Sequence, residues 1–178
     1  GDKKMNFSIS YPGSNNGNYG TSLYTTDGYT QVLAGSTIIG GKVVLSSAAD
    51  FSGVKMVKAN LGIYTDDATA DFTMSLVKDG KTYVLGKFNI TGSGKNPDGK
   101  EYYFSGNSEC ESGQLVLTVD NLSNQSCRPY IGALSINPAP GIVLDSKTIK
   151  VAKTAHSESV DCGVYAATGD PTVTVADD

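Results

Sequence analysis

The chain has 178 residues with no Trp, one His and three Cys, and its 14 basic against 18 acidic residues leave a net charge of −4. That balance argues against a basic nucleic-acid groove and against attraction to anionic membrane surfaces. One histidine excludes a multi-histidine metal centre, and no run of about 18 apolar residues is present to cross a membrane as a helix.

Almost every segment reads as strand. Phe7, Ile9 and Tyr11 alternate with serines, the period-two pattern of a half-buried strand. The Gly/Asn/Ser tract from Pro12 to Gly20 has nothing to bury and reads as loop. Short strands follow at Ser22–Thr25 and Tyr29–Leu33, separated by the hairpin signal Asp27-Gly28. Thr37–Leu45 is a strand with a bend at Gly40-Gly41, and Ser46–Asp50 reads as loop. Val54–Tyr64 puts Val57, Ala59, Leu61 and Ile63 on one face, while Lys55 and Lys58 break the alternation and suggest a second bulge or a boundary near Lys58. Phe72–Val77 and Thr82–Ile90 are joined by Asp79-Gly80, the strongest hairpin signal in the chain, because a type I′ turn needs positive φ at both central residues. After the turn-rich Thr91–Gly99, strands are expected at Glu101–Ser105, Gln114–Asp120 and Tyr130–Asn137.

Strands recur at short intervals with turn chemistry between them, and no segment offers a capped amphipathic helix. The expected fold is all-β: an antiparallel β-sandwich or jelly roll over residues 1–137. Asn137-Pro138-Ala139-Pro140-Gly141 reads as a linker, because two prolines cannot continue a central strand. Residues 138–178 then form a β-rich tail, with strands expected at Ile142–Val151, Glu158–Ala166 and Thr172–Ala176. The tail is too short for a core of its own. It reads either as the opening of a truncated second, immunoglobulin-like module or as extra strands on the sandwich.

The stretch Ala34–Leu45 followed by Phe51–Tyr64 resembles the β-sandwich, adhesin-like modules of secreted and cell-surface proteins of the Bacteroidetes. Arg128-Pro129-Tyr130-Ile131-Gly132 fits the last strand of that family. The resemblance covers roughly residues 20–137 and implies a sandwich fold and an extracellular or cell-surface location, lipid-anchored at the outer membrane in some members. The family's Trp-containing aromatic signature is absent, and no functional residue is carried over from it. The polar start, Gly1-Asp2-Lys3-Lys4, reads as a mature or engineered end.

Asp66, Asp67 and Asp71 form the densest carboxylate group and are the candidate calcium ligands, since calcium takes several oxygens from such loops. Asp120, Asn121 and Asn124, before Cys127, form a lesser group of the same kind. Tyrosine outnumbers phenylalanine, 10 to 5. Tyr19, Tyr24, Tyr29, Tyr102, Tyr103 and Tyr130 are the candidate ligand-binding residues, because flat rings offer contact area at low entropic cost. Glu109 and Glu111 flank Cys110 at a spacing open to paired-carboxylate chemistry, but nothing beside them supports catalysis. His156 sits beside serines in an expected hairpin loop, and sequence neighbours rarely form a triad. Cys110 and Cys127 flank one strand at a separation open to pairing, and Cys162 reads as a small buried hydrophobe. The functional expectation is a non-catalytic exported module that binds a glycan or a surface protein. A structural spacer, or an accessory domain of a secreted peptidase or glycosidase, is the alternative.

Overall fold

The computed structural model describes residues 5–13, 24–26, 29–32, 41–94, 100–124, 127–138, 141–144 and 162–165. No helix occurs among them, so none is long and apolar enough to cross a membrane. Twelve strands are defined: β1 (Phe7–Ser10), β2 (Tyr24–Thr26), β3 (Tyr29–Gln31), β4 (Val43–Phe51), β5 (Met56–Ile63), β6 (Thr69–Lys78), β7 (Lys81–Thr91), β8 (Glu101–Ser105), β9 (Gly113–Asp120), β10 (Pro129–Ile136), β11 (Gly141–Leu144) and β12 (Cys162–Tyr165). Ten of these build two five-stranded antiparallel sheets, ordered β1-β4-β9-β6-β7 and β2-β3-β10-β5-β8. Strands β3 to β10 interleave between the sheets as in a jelly roll, and β1 and β2 extend one edge of each. The sandwich expected from the sequence is present.

Alternation explains the layers. Ala70, Phe72, Met74 and Leu76 of β6 face Val57, Ala59, Leu61 and Ile63 of β5, and all eight are at most 1% exposed. Leu115, Leu117 and Val119 of β9 and Phe104 of β8 complete the core. Asp79 and Gly80 have φ of 50° and 75°, the two positive angles the β6–β7 hairpin requires. Lys78 pairs with Lys81 across that turn.

Two expectations need correction. Ser46–Asp50 is strand, not loop: β4 runs through it to Phe51. The ladder with β9 shifts register between Ser46 and Asp50. The Ser47 side chain fills the irregularity, donating to Ala49 O at 2.7 Å and accepting from the Leu115 amide at 2.9 Å. The second correction concerns the bulge expected near Lys58. It lies on the neighbouring strand, where β10 shifts between Ile131 and Leu134 as it passes β5. The expected bend at Gly40 falls outside the described residues.

The chain leaves the sandwich at Asn137. Its side-chain carbonyl accepts from the amides of Lys55 and Met56 at 2.7 and 3.1 Å, and its amide group donates to Gly53 O at 2.7 Å. Beyond it, among the described residues, β11 and β12 pair with each other and with no other strand. Cys110 and Cys127 are buried free thiols, so the pairing considered from the sequence is not made. Burial pushes the Cys127 thiol up to about 12, which keeps it protonated and unreactive.

Candidate functional site

The interleaved topology gathers five connections at one end of the sandwich. The end of β1 leads to β2, β3 to β4, β5 to β6, β7 to β8 and β9 to β10, and the registers place all these strand ends together. The opposite end carries the β6–β7 hairpin, the β4–β5 and β8–β9 connections, and Asn137.

A crater of about 640 Å³ opens at the five-connection end. Pro12 and Gly13 wall it on the β1 side, Gly41 and Lys42 on the approach to β4, and Asp120, Asn121 and Leu122 at the exit of β9. Local chemistry explains the walls. Gly13 turns the chain at φ 77°, and the Lys42 amide donates to Pro12 O at 3.0 Å, tying the first two walls together. Asn121 takes φ 52°, a left-handed conformation that asparagine tolerates better than most side chains. Leu122 then turns into the core, 7% exposed.

Asn121 is held from behind. Its Nδ2 donates to Asp71 Oδ2 at 2.6 Å, and Asp71 also accepts from Lys87 Nζ at 2.8 Å and from Asn89 Nδ2 at 2.8 Å. These bonds, led by the one from Lys87, hold the Asp71 carboxyl down at about 2 from an ordinary 3.8. A depressed carboxyl stabilises the fold above its unfolded pKa, and that contribution disappears as pH falls through the folded value. Asp71 is nearly buried while Lys87 is half exposed, so the solvent-screened contribution is about 1–2 kcal/mol. Urea midpoints taken between about pH 5 and pH 2 should therefore fall more steeply for the native protein than for Asp71→Asn. Equal slopes would show that Asp71 is not the titrating group.

The registers form a row across four strands. Asp120 stands opposite Asp71, Asp71 opposite Asn89, and Lys42 lies one step beyond the Val43–Val119 pair, opposite Asp120. Opposite charges so placed usually attract. Among the described residues, however, the ion pairs are Lys55–Glu111, Lys58–Glu101 and Lys87–Asp71. Asp120 Oδ1 is buried with no hydrogen-bond partner.

The sequence-derived tyrosines do not form one platform. Tyr19 lies outside the described residues. Tyr24 and Tyr29 lie on β2 and β3, opposite Gln31 and Thr26 respectively. Tyr102 packs its ring 5.0 Å from Phe88, with Lys100 Nζ 5.5 Å from the ring centroid. Tyr103, the next residue on β8, points to the other face by alternation and donates to Glu101 Oε2 at 2.9 Å. Tyr130 is 2% exposed and lies over Gly62, where a Cβ would fall 2.1 Å from the tyrosine hydroxyl. Tyr102 and Tyr130 do share a smaller hollow of about 160 Å³ with Gly62, Thr91, Ser93 and Lys100.

Asp66 and Asp67 are exposed in the β5–β6 connection, with Asp67 at φ 55°. Asp71 lies beyond them on β6, and both its oxygens already accept hydrogen bonds. Among the described residues no group of three or more His, Cys, Asp or Glu is placed to hold a metal ion. Glu109 and Glu111 belong to the β8–β9 connection, at the end away from the crater, and Glu111 pairs with Lys55. His156 lies outside the described residues.

No family model matches the chain, and no curated protein matches it. Solved structures do match. A GH31 CBM32-2 bound to GalNAc aligns at TM-score 0.42 and 10% identity, covering 75% of this chain and 98% of its own. A family 29 carbohydrate binding module from Piromyces equi aligns at 0.44 and 12%, covering 74% and 89%. The CBM32 of AlyQ in complex with 4,5-unsaturated mannuronic acid aligns at 0.41 and 18%, covering 72% and 92%. No residue role is carried over from them.

Proposed function

We propose that this chain is a non-catalytic binding module and that its five-connection end takes a carbohydrate. The crater carries the reading. It brings a carboxylate, a carboxamide, an ammonium group and glycine-lined backbone to one concave surface. Such groups both accept from and donate to sugar hydroxyls. Pro12 adds a small exposed apolar surface for a C–H face. The proposal includes an extracellular or cell-surface setting, where glycans are met.

A glycan array followed by calorimetry on the hits tests it. The expected result is micromolar-to-millimolar binding to a restricted set of oligosaccharides, abolished when Gly41→Trp fills the crater. An array without hits would overturn the reading. It would leave the spacer alternative, which the outer face of the first sheet favours. There Ser10, Val44, Thr118, Thr73 and Lys87 form one register row, of mostly small side chains.

A further inference from the structure

We propose that Asn121 reads a hydrogen-bond donor of the bound sugar through Oδ1, and that Asp71 is the positioning residue that keeps this oxygen turned to the crater. The inference rests on the carbohydrate reading and goes further by naming the contact atom and the kind of ligand group it takes.

Three observations carry it. Asn121 is exposed and walls the crater, so a ligand can reach it. Its Nδ2 donates to Asp71 Oδ2 at 2.6 Å, which leaves Oδ1 as the end of the carboxamide turned away from Asp71. Nor is the carboxamide free to reverse. Asp71 is ionised at neutral pH, and an ionised carboxylate only accepts. A reversed carboxamide would set two acceptors against each other behind the wall. Asp71 cannot turn aside, because it is 8% exposed and Lys87 Nζ and Asn89 Nδ2 each hold it at 2.8 Å. The backbone after Asn121 is fixed as well. Leu122 is seated in the core, and the Ser123 amide donates to Thr69 O at 2.9 Å.

A carbonyl oxygen so held accepts and never donates. A sugar hydroxyl therefore meets Asn121 as the donor, and a fluorine in its place leaves that oxygen without a partner. Lys42, exposed on the approach to β4, makes the opposite demand, because its ammonium only donates. The two walls together suit a ligand rich in groups that do both, as hydroxyls are.

The test uses the full chain with the methyl glycosides of glucose, galactose and mannose and their singly fluorinated deoxy derivatives. Backbone amide shifts measure each affinity and locate each ligand. At least one parent glycoside should shift the Asn121 amide. One of its fluorinated derivatives should bind about tenfold more weakly, as loss of one hydrogen bond does. Asn121→Gly keeps the left-handed backbone without strain and removes the carboxamide. In that variant the parent should bind as weakly as the derivative. Asp71→Asn lets the Asn121 carboxamide turn over, because the new amide group can donate as well as accept. It should weaken the parent several-fold when made alone and not at all when added to Asn121→Gly. A merely structural Asp71 would weaken binding in both backgrounds.

Derivatives that all bind like the parent, or a fluorine effect that survives Asn121→Gly, would overturn the inference and leave the carbohydrate reading standing. Equal losses on Asp71→Asn in both backgrounds would remove Asp71 as the positioning residue. If no glycoside moves the Asn121 amide, the inference falls. Hits on the array would then keep the carbohydrate reading, and an empty array would end it too.

Discussion

Gly92→Ala is expected to destabilise the protein by about 2–3 kcal/mol, which lowers the melting temperature of a chain this size by roughly 5–10 °C. A Cβ at Gly92 would fall 1.8 Å from Thr65 O, 2.9 Å from Thr65 C and 3.0 Å from Ile63 O, all backbone atoms that cannot rotate aside. Backing away would break the ties that hold the connections together. The Gly92 amide donates to Ala68 O at 2.7 Å, Gly92 O accepts from Asp67, and the Ser93 amide donates to Ile63 O. This glycine therefore rivets the β5–β6 connection to the end of β7, at the end of the sandwich that carries the crater. Gly53→Ala is the comparison. It too would be strained, at φ 66°, but its Cβ would meet nothing within 4 Å. Its cost should stay near 1 kcal/mol. Calorimetry on both variants checks the contrast, and equal melting temperatures would mean that the close approach at Gly92 relaxes without cost.

The difference between these glycines marks where sequence reading stops. Asp79-Gly80 was legible because a two-residue hairpin imposes its own dihedral angles, whatever lies around it. Gly92 gives no local sign of its contact, since Thr65 reaches it only after β5, β6 and β7 have paired. The strands with clean alternation, such as Gln114–Asp120, were legible for the same local reason. Ser46–Asp50 was not, because a strand whose inward position is a serine looks like loop until Leu115 supplies the partner for that hydroxyl.

The candidate site divides in the same way. Asp120 and Asn121 stood out, with Asn124, as oxygen-bearing residues before Cys127, whereas Gly13 and Gly41 read only as loop and bend and Lys42 gave no signal; they join the first two only through the register of β1, β4 and β9. Tyrosine abundance was visible, but the face each ring takes was not. Tyr102 and Tyr103 are adjacent and point apart, and Tyr130 is buried over Gly62. The site's weight thus moves from aromatic rings to polar groups at strand ends.

Phe104→Ala should produce the larger loss, about 3–5 kcal/mol. Phe104 is fully buried on β8, the outermost strand of the second sheet. Its ring meets Phe88 of β7 edge-on at 5.1 Å, and β7 is the outermost strand of the first sheet. The contact therefore closes the sandwich along the edge where neither strand has a further neighbour. Gly86 makes room for it: a Cβ there would stand 3.2 Å from the Phe104 ring, so the two positions form a fitted pair across the sheets. Truncation removes the apolar area of a whole ring and leaves a cavity that the flanking β-strands cannot collapse without breaking register. It also removes the one fully buried side chain of β8, leaving Tyr102, whose ring meets the same Phe88 at a tilt. The Phe88→Ala, Phe104→Ala double-mutant cycle should return a coupling of about 0.5–1.5 kcal/mol. Additive losses would mean that each ring is held by its own sheet and that the edge is not closed by their contact. A coupling in the expected range would mean that this aromatic pair joins β8, already paired with β5 in its own sheet, to β7 of the other.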